Sequence, residues 1–243
     1  MIIFPAIDIK NKNVVRLKQG DFNRLNTYNL TPLEAALSYQ KDGATWLHMI
    51  DLDGAEKGEN SNQDVIQNIA INTELNIQVG GGVRTKEKII ELLSIGVTRV
   101  IVGTFAIENF ETLKELVQKY PKQIIVSLDS KDGYITTKGW QETTTIKTID
   151  FIKDLEAIGI DTIVVTDIAK DGMMEGPNFN QLKTINEATQ MNVIASGGVS
   201  SLKDIIKLSE YNLYGAIIGK ALYINEIDLK EAIKCSLEES SLV

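Results

Sequence analysis

The chain carries an internal repeat in which glycine turns follow short apolar segments. The segment QVGGGVR, which contains Gly82, is echoed by IASGGVS, which contains Gly198, 116 positions later. The segment VGTFAIEN, which begins next to Gly103, is echoed at the same spacing by IGKALYIN, which contains Gly219. This period is far longer than the 20–50 residues of a solenoid repeat, so each copy predicts half of one domain.

Eight apolar segments of strand length alternate with stretches of helical periodicity. Several are uninterrupted, such as Ile163-Val164-Val165, which is typical of parallel strands covered by helices on both faces. A chain of 243 residues with eight such units predicts an α/β protein with a (β/α)8 barrel, also called a TIM barrel. We expect one domain over 1–243 with half-barrels over about 1–122 and 123–243; a doubly wound open sheet is the alternative. The predicted strands are 2–8, 46–51, 77–79, 100–103, 124–129, 162–167, 193–196 and 215–219.

Composition and the first residues of the chain exclude several classes of ligand, site and location. The net charge of −8 argues against nucleic acid, which needs a basic surface. The only cysteine, Cys235, excludes an internal disulfide and a cysteine-based zinc cluster. The first residues lack a basic region followed by an apolar core, and no apolar run reaches membrane-spanning length. We therefore expect a cytoplasmic protein without membrane contact.

The glycine turns predict two sites for phosphate. In a barrel of this kind the ligand lies at the carboxyl ends of the strands, and the loops after strands seven and eight commonly bind phosphate. Here those loops carry Gly198 and Gly219, and the repeat places a matching pair across the barrel mouth. An acidic chain would hold phosphate locally, with backbone N–H groups and helix N-termini. The candidate substrate- and phosphate-binding residues are Gly81, Gly82, Arg84, Gly103, Thr104, Trp140, Ser196, Gly197, Gly198, Gly219 and Lys220.

Two aspartates are candidates for acid–base chemistry. Asp8 ends the first predicted strand and Asp129 ends the fifth, so they would face each other across the ring. Between two phosphate sites they are interpreted as a general acid and a general base, and the acid would need a raised pKa. Which of the two has the raised pKa is open. Thr166 ends the sixth strand, where it either binds an intermediate or is simply a β-branched strand residue.

Two aromatic positions and one loop complete the candidate residues. His48 is the only histidine and lies in an apolar strand, which favours a packed, hydrogen-bonded residue over a catalyst. Trp140 lies in a polar segment after strand five, where it would stack on a flat heterocycle or pack on its own barrel. Residues 20–24 follow a small β ribbon after strand one and are predicted to be a mobile loop that closes over a ligand. With one histidine and one cysteine, we expect no histidine-based triad, no cysteine nucleophile and no zinc site.

The motifs together resemble those of a known family. They are PAIDI around Asp8, GGGVR around Gly82, VGT around Gly103, SGGV around Gly198 and GKALY from Gly219, and further motifs match essentially from end to end. In these motifs the chain resembles the phosphoribosylformimino-5-aminoimidazole carboxamide ribotide isomerases of histidine biosynthesis. One departure is the pair Met173-Met174, where the family usually has threonine and an aliphatic residue.

The resemblance implies an Amadori rearrangement, from aminoaldose to aminoketose, on a ligand with a phosphate at each end. In the family's terms Asp8 would be the base at C2. Asp129 would be the acid that opens the furanose, Thr166 would assist, and Trp140 would stack on the carboxamide-imidazole. Neither metal nor organic cofactor is implied, and the family's members are commonly monomeric.

Four alternatives stay open at this point. The cyclase subunit of imidazole glycerol phosphate synthase shares the duplicated barrel and the facing aspartates, although it typically has a different motif at the end of strand one. Phosphoribosylanthranilate isomerase does the same chemistry on a ligand with one phosphate, using a cysteine base. An isomerase that accepts both substrates is the third alternative. A non-catalytic sugar-phosphate binding protein would be expected to have lost at least one aspartate.

Overall fold

The protein is described from a computed structural model, in which residues 1–18, 21–27, 30–58 and 62–238 are described. The strands are β1 (Ile2–Lys10), β2 (Asn13–Lys18), β3 (Asp21–Thr27), β4 (Trp46–Asp51), β5 (Asn76–Gly80), β6 (Arg99–Val102), β7 (Ile124–Lys131), β8 (Tyr134–Thr137), β9 (Glu142–Lys147), β10 (Thr162–Asp167), β11 (Asn192–Ser196) and β12 (Gly215–Ile218).

Helices follow the barrel strands. They are α1 (Pro32–Lys41), α2 (Leu52–Lys57), α3 (Gln63–Asn72), α4 (Lys86–Ser94), α5 (Thr104–Glu108), α6 (Phe110–Lys119), α7 (Thr148–Ala157), α8 (Phe179–Glu187), α9 (Leu202–Glu210), α10 (Lys220–Tyr223) and α11 (Leu229–Glu238). In the part of the chain that the structure describes, no helix is both long and apolar enough to cross a bilayer.

Eight parallel strands close into a barrel, which confirms the predicted fold class. Around the ring they follow in the order β1, β4, β5, β6, β7, β10, β11 and β12, and β12 pairs with β1. The β7–β10 pairing, from Val126 opposite Ile163 to Ser130 opposite Asp167, completes the circle. An open sheet would leave two edge strands unpaired, so the alternative fold is excluded.

Each half of the ring carries an antiparallel ribbon beyond the barrel. β1 runs two residues further than predicted and pairs with β2, which pairs with β3. β7 likewise runs to Lys131 and pairs with β8, which pairs with β9. The loop predicted over 20–24 is therefore wrong from Asp21 onward, where β3 begins, and Gly20 lies outside the described residues. The missed signal is that of polar strands, which lack the apolar alternation used to predict strands.

The repeat extends to backbone geometry. Thr85 and Ser201 are the N-caps of α4 and α9 and are 116 positions apart; each side chain accepts a hydrogen bond from the N–H three residues on. The two seams between the halves also share one register. Val100 lies opposite Ile124 on β6 and β7, and Ala216 lies opposite Ile3 on β12 and β1.

The core has two parts. The larger lies between the barrel and its helices, where Ile, Leu and Val dominate. A smaller cluster fills the barrel interior, with Phe4, Ile101, Val164 and Ile194 among its members. These side chains fill the interior, and a cavity lies at the carboxyl ends of the strands, where the candidate residues were predicted to lie.

Candidate active site

A cavity of about 990 Å³ lies at the carboxyl ends of the barrel strands. Every candidate catalytic or substrate-binding residue contributes to its lining, and so do several residues that were not predicted, among them Ser127 and Asp171. The structure thus brings all of the candidates together, while their chemical roles stay predictions. The lining candidates are Asp8, Gly81, Gly82, Arg84, Gly103, Thr104, Asp129, Trp140, Thr166, Ser196, Gly197, Gly198, Gly219 and Lys220.

The two aspartates lie on opposite sides of this cavity. Asp8 is on β1 and Asp129 on β7, and three strands separate them in each direction around the ring. Asp8 is only 7% exposed although it lines the cavity. Two carboxyl groups so placed can act on opposite faces or different atoms of one bound ligand.

Asp129 is held by three hydrogen-bond donors. Trp140 donates from Nε1 to Oδ2 at 2.9 Å, and Ser127 donates from Oγ to Oδ1 at 3.1 Å. Thr166, its register partner on β10, is also a side-chain donor to this carboxyl. Burial nevertheless raises the pKa of Asp129 above its ordinary value, against the lowering effect of these donors, and the charge of Asp171 adds to the rise. A raised pKa is what a general acid needs near neutral pH.

Trp140 reaches Asp129 from a strained hairpin. The residue follows β8, and Lys138, Gly139 and Trp140 all have positive φ, at 53°, 64° and 70°. A bulky aromatic residue rarely adopts this conformation, so its surroundings must maintain it. The bond to Asp129 and the bond from Lys138 N to Thr104 Oγ1, at 3.0 Å, are two of the contacts that do so. Stacking of Trp140 on a ligand stays a prediction.

The first glycine turn packs tightly against the loop after β4. Gly81 and Gly82 have φ of 99° and 68°, and a Cβ on Gly82 would lie 2.0 Å from the carbonyl oxygen of Gly54. Arg84 Nη2 donates to the carbonyl oxygen of Ala55 at 2.7 Å. The missing Cβ at Gly82 is therefore required by the protein's own backbone, in addition to any approach by a phosphate.

The second glycine turn repeats this arrangement. Gly198 has φ of 86°, and a Cβ there would lie 2.5 Å from the carbonyl oxygen of Gly176. The Gly176 N–H donates to the carbonyl oxygen of Gly198 at 3.1 Å, and Lys220 Nζ donates to that of Gly172 at 2.9 Å. Lysine therefore brings a positive charge to this end of the cavity, as arginine does at the other.

Two more glycines begin short helices at the cavity wall. Gly103 precedes α5 with φ −113° and ψ −97°, and Gly219 precedes α10 with φ −110° and ψ −93°. Neither has a side chain that could cap the helix, so the first N–H groups are not satisfied in that way. Together the four turns form two repeat-related groups across one cavity.

An aspartate–asparagine pair supports each group; the first pair is buried and the second is half-buried. Asn62 Nδ2 donates to Asp51 Oδ1 at 2.6 Å, and Asn178 Nδ2 donates to Asp167 Oδ2 at 2.7 Å. The asparagines are 116 positions apart, as the aspartates are, so both pairs belong to the internal repeat. Burial raises the pKa of Asp51, against the hydrogen bonds from Gly54 and Asn62 that lower it. Each pair fixes the loop that packs against a glycine turn.

His48 is buried and hydrogen-bonded, as predicted. Its ring is 7% exposed, lines the cavity, and has Nδ1 2.9 Å from Nε2 of Gln78. Within residues 1–18, 21–27, 30–58 and 62–238, no three or more His, Cys, Asp or Glu side chains are grouped so that they could hold a metal ion.

Asp129→Asn is expected to stabilise the fold in a pH-dependent manner. Because the pKa of Asp129 is raised on folding, the ionised carboxyl is more favourable in the unfolded chain. Folding stability is therefore lost as pH rises from the ordinary aspartate range through the raised pKa, and the variant avoids this loss. We expect Tm at pH 8 to exceed that of the wild type by at least about 2 °C, and the difference to vanish near pH 3.5.

Differential scanning fluorimetry across this pH range measures the effect. Asp154→Asn, which changes an exposed aspartate of α7, is the matched control and should show no pH-dependent difference. A variant at Asp129 that is less stable than the wild type at pH 8 would contradict the expected cost of the buried carboxylate.

Comparison with known proteins adds an independent observation. Residues 2–228 match a family model described as "Histidine biosynthesis protein". A protein of Clostridioides difficile is 51% identical over 232 residues, which cover 96% of this chain and 97% of that protein. Relatives in Oceanobacillus iheyensis and Clostridium novyi are 49% and 43% identical, with 98% and 97% of this chain and 99% of each relative covered. All three are named 1-(5-phosphoribosyl)-5-((5-phosphoribosylamino)methylideneamino)imidazole-4-carboxamide isomerase.

Proposed function

The chain belongs to the histidine biosynthesis protein family, and on that premise we propose that it is the isomerase that acts on the bisphosphate ribotide ProFAR, the fourth step of histidine biosynthesis. The reaction is an intramolecular aldose–ketose isomerisation, an Amadori rearrangement. The observation that carries the proposal is the placement of Asp8 and Asp129 on opposite sides of one cavity whose two ends are repeat-related glycine turns. A ligand with a phosphate at each end matches this arrangement.

In the proposed reaction Asp129 is the general acid. It donates a proton to the furanose ring oxygen, which breaks the bond to C1 and leaves a Schiff base between C1 and the amine. The direction of its pKa supports this role, since a carboxyl destabilised in its ionised form is protonated over a wider pH range. Thr166, bonded to the same carboxyl, orients it and assists.

Asp8 is the general base in the same scheme. It removes the proton from C2 of the Schiff base, and the electron pair of that bond moves toward C1 and the imine nitrogen to give an enolamine. Return of a proton to C1 and loss of the proton from the C2 hydroxyl then give the aminoketose. Only protons move in this scheme, so the proposed enzyme needs no metal or organic cofactor. We also propose that it works as a monomer in the cytoplasm.

The remaining candidates bind the substrate in this proposal. The turns at Gly82 and Gly103, with Thr104 and Arg84, bind one phosphate, and those at Gly198 and Gly219, with Ser196 and Lys220, bind the other. Each set combines N–H groups of a turn with a short helix start and one cationic side chain. To stack on the carboxamide-imidazole ring, Trp140 would break its hydrogen bond with Asp129. The Asp129 carboxyl could then contact the ligand.

A direct isomerase assay tests the proposal. The purified chain is expected to turn over ProFAR, and to turn over phosphoribosylanthranilate with a kcat/KM at least about 100-fold lower, because that ligand has a single phosphate for two sites. The substrate of the cyclase subunit should give no product. Turnover of the cyclase substrate, or failure to turn over ProFAR by a folded chain, would contradict the proposed function.

A further inference from the structure

Three buried polar side chains lie on neighbouring strands of the barrel, and two of them, His48 and Gln78, are hydrogen-bonded to each other. His48, Gln78 and Arg99 lie on β4, β5 and β6, and each is the register partner of the next. Their exposed fractions are 7%, 0% and 8%. Polar groups buried to this degree are normally retained only where their hydrogen bonds matter, because an unsatisfied one is costly.

The orientation of the Gln78 amide follows from its two neighbours. Its Nε2 lies 2.9 Å from His48 Nδ1. Arg99 is the register partner of Gln78 on β6, and its guanidinium has donors only. Among the described residues, Gln78 Oε1 and Arg99 Nη1 are buried without a hydrogen-bond partner. An amide oxygen is favoured on the arginine side, and the reversed amide would place N–H groups next to a cation.

With this amide orientation, Gln78 donates and His48 Nδ1 accepts. Only a neutral imidazole can accept at Nδ1, and its single proton must then be on Nε2. We propose that Gln78 is a positioning residue that holds His48 as the Nε2–H tautomer, a hydrogen-bond donor that makes one side of the near-twofold cavity different from the other.

Charged groups around His48 have opposing effects on the protonation of its ring. Asp8 lies on β1 two residues beyond Ala6, the register partner of His48, and it favours a proton on the ring. Asp129 lines the opposite wall of the same cavity. Arg99 lies on the strand next to Gln78 and opposes a second positive charge. The amide N–H in contact with Nδ1 decides between them, because protonation at Nδ1 would set two donors face to face.

Arg99 is itself fixed by aromatic rings. Its guanidinium carbon lies 4.3 Å from the centroid of Trp46 and 5.5 Å from that of Tyr214. Its Nη2 also donates to the hydroxyl of Tyr214 at 3.2 Å. These cation–π contacts stabilise the positive charge of Arg99 inside the barrel, and none of them involves a carboxylate. The charge therefore stays on the strand next to Gln78.

These three polar side chains occur in one half of the barrel only. The residues 116 positions beyond His48 and Gln78 are Val164 and Ile194, both in the apolar interior cluster. The position that corresponds to Arg99 is Gly215, where a Cβ would lie 2.4 Å from the Phe4 ring. A cavity whose two phosphate sites are alike could accept an asymmetric ligand in either direction. A donor on one side favours the direction that places an acceptor oxygen of the ligand there.

Histidine NMR tests the tautomer directly, since His48 is the only histidine of the chain. The full chain labelled with 15N-histidine should show a non-protonated Nδ1 and a protonated Nε2 at pH 7. Gln78→Glu, whose carboxylate only accepts, should move the proton to Nδ1, and Gln78→Met should give a mixture of tautomers. Ile194→Met, which introduces methionine at the repeat-related interior position, is the matched control and should leave the spectrum unchanged.

A wild-type spectrum with a protonated Nδ1 would overturn the proposal, and so would an unchanged tautomer in folded Gln78→Met. The effect on substrate rests on the proposed function: KM for ProFAR should rise about tenfold in Gln78→Met with kcat within about threefold. The predicted tautomer in a chain without isomerase activity would contradict the proposed function alone. Isomerase activity with the other tautomer would contradict this inference alone.

Discussion

Asp129→Asn and Asp8→Asn are each expected to lower kcat by about 10³-fold or more, while KM stays within about tenfold of the wild-type value. Asparagine keeps the size and most hydrogen-bonding capacity of aspartate, so Trp140 and Ser127 can still bond to it. What it cannot do is give or take a proton. The loss should therefore fall on the chemical steps and leave substrate binding nearly intact.

The two variants should fail at different steps. Asp129→Asn should not open the furanose, whereas Asp8→Asn should open it and stop before removal of the C2 proton. NMR of ProFAR labelled with 13C at C1 separates these cases, because the C1 signal of the open-chain Schiff base requires a working acid but no base and should form only with Asp8→Asn. Asp154→Asn, which changes an exposed aspartate of α7 outside the cavity lining, is the control and should keep the wild-type kcat. A variant at Asp8 or Asp129 with near wild-type kcat would contradict the acid–base assignment.

Gly82→Ala is expected to lower the free energy of unfolding by about 2–5 kcal/mol. The residue has φ of 68°, and the new Cβ would meet the backbone of Gly54 at 2.0 Å, where no side chain can move aside. Strain at positive φ and displacement of the neighbouring loop both contribute. Against a typical total stability of about 5–15 kcal/mol this is a large fraction, and urea unfolding measures it.

Gly133→Ala separates the two contributions. Gly133 has φ of 81°, but a Cβ there would have no heavy atom within 4 Å, so only the strain of positive φ applies and the loss should be about 1 kcal/mol. Gly198→Ala, the counterpart of Gly82 in the second half, should resemble Gly82→Ala because its Cβ would meet Gly176 at 2.5 Å. Equal losses for Gly82→Ala and Gly133→Ala would show that the close approach of the two loops is not what requires glycine.

The repeat and the apolar segments were sufficient to predict the barrel and the location of the site. β4 and β10 match their predicted bounds, because apolar runs end where the buried part of a parallel strand ends. β2, β3, β8 and β9 were not predicted as strands with these bounds. Such ribbons lie outside the barrel, and polar residues such as those of Glu142–Lys147 form strands there because of their pairing partners.

The candidate residues could be placed because barrel geometry fixes which end of each strand faces the ligand. The contacts of these residues could not be predicted in this way. Nothing in the spacing of Asp129 and Trp140 shows that the indole donates to that carboxyl, since the contact depends on the left-handed conformation of the hairpin. Gln78 has no local signal either, because its importance comes from a histidine 30 residues away on the neighbouring strand.

The shared register of the two seams has a consequence for the origin of the molecule. Val100 opposite Ile124 and Ala216 opposite Ile3 are the same pairing, seen once inside the chain and once where its first and last strands join. In a fragment made of four barrel strands, the last strand would thus have the edge that pairs with the first strand of a second copy. Two identical fragments could close the same ring as a homodimer, and a later gene fusion would need only a short linker before β7.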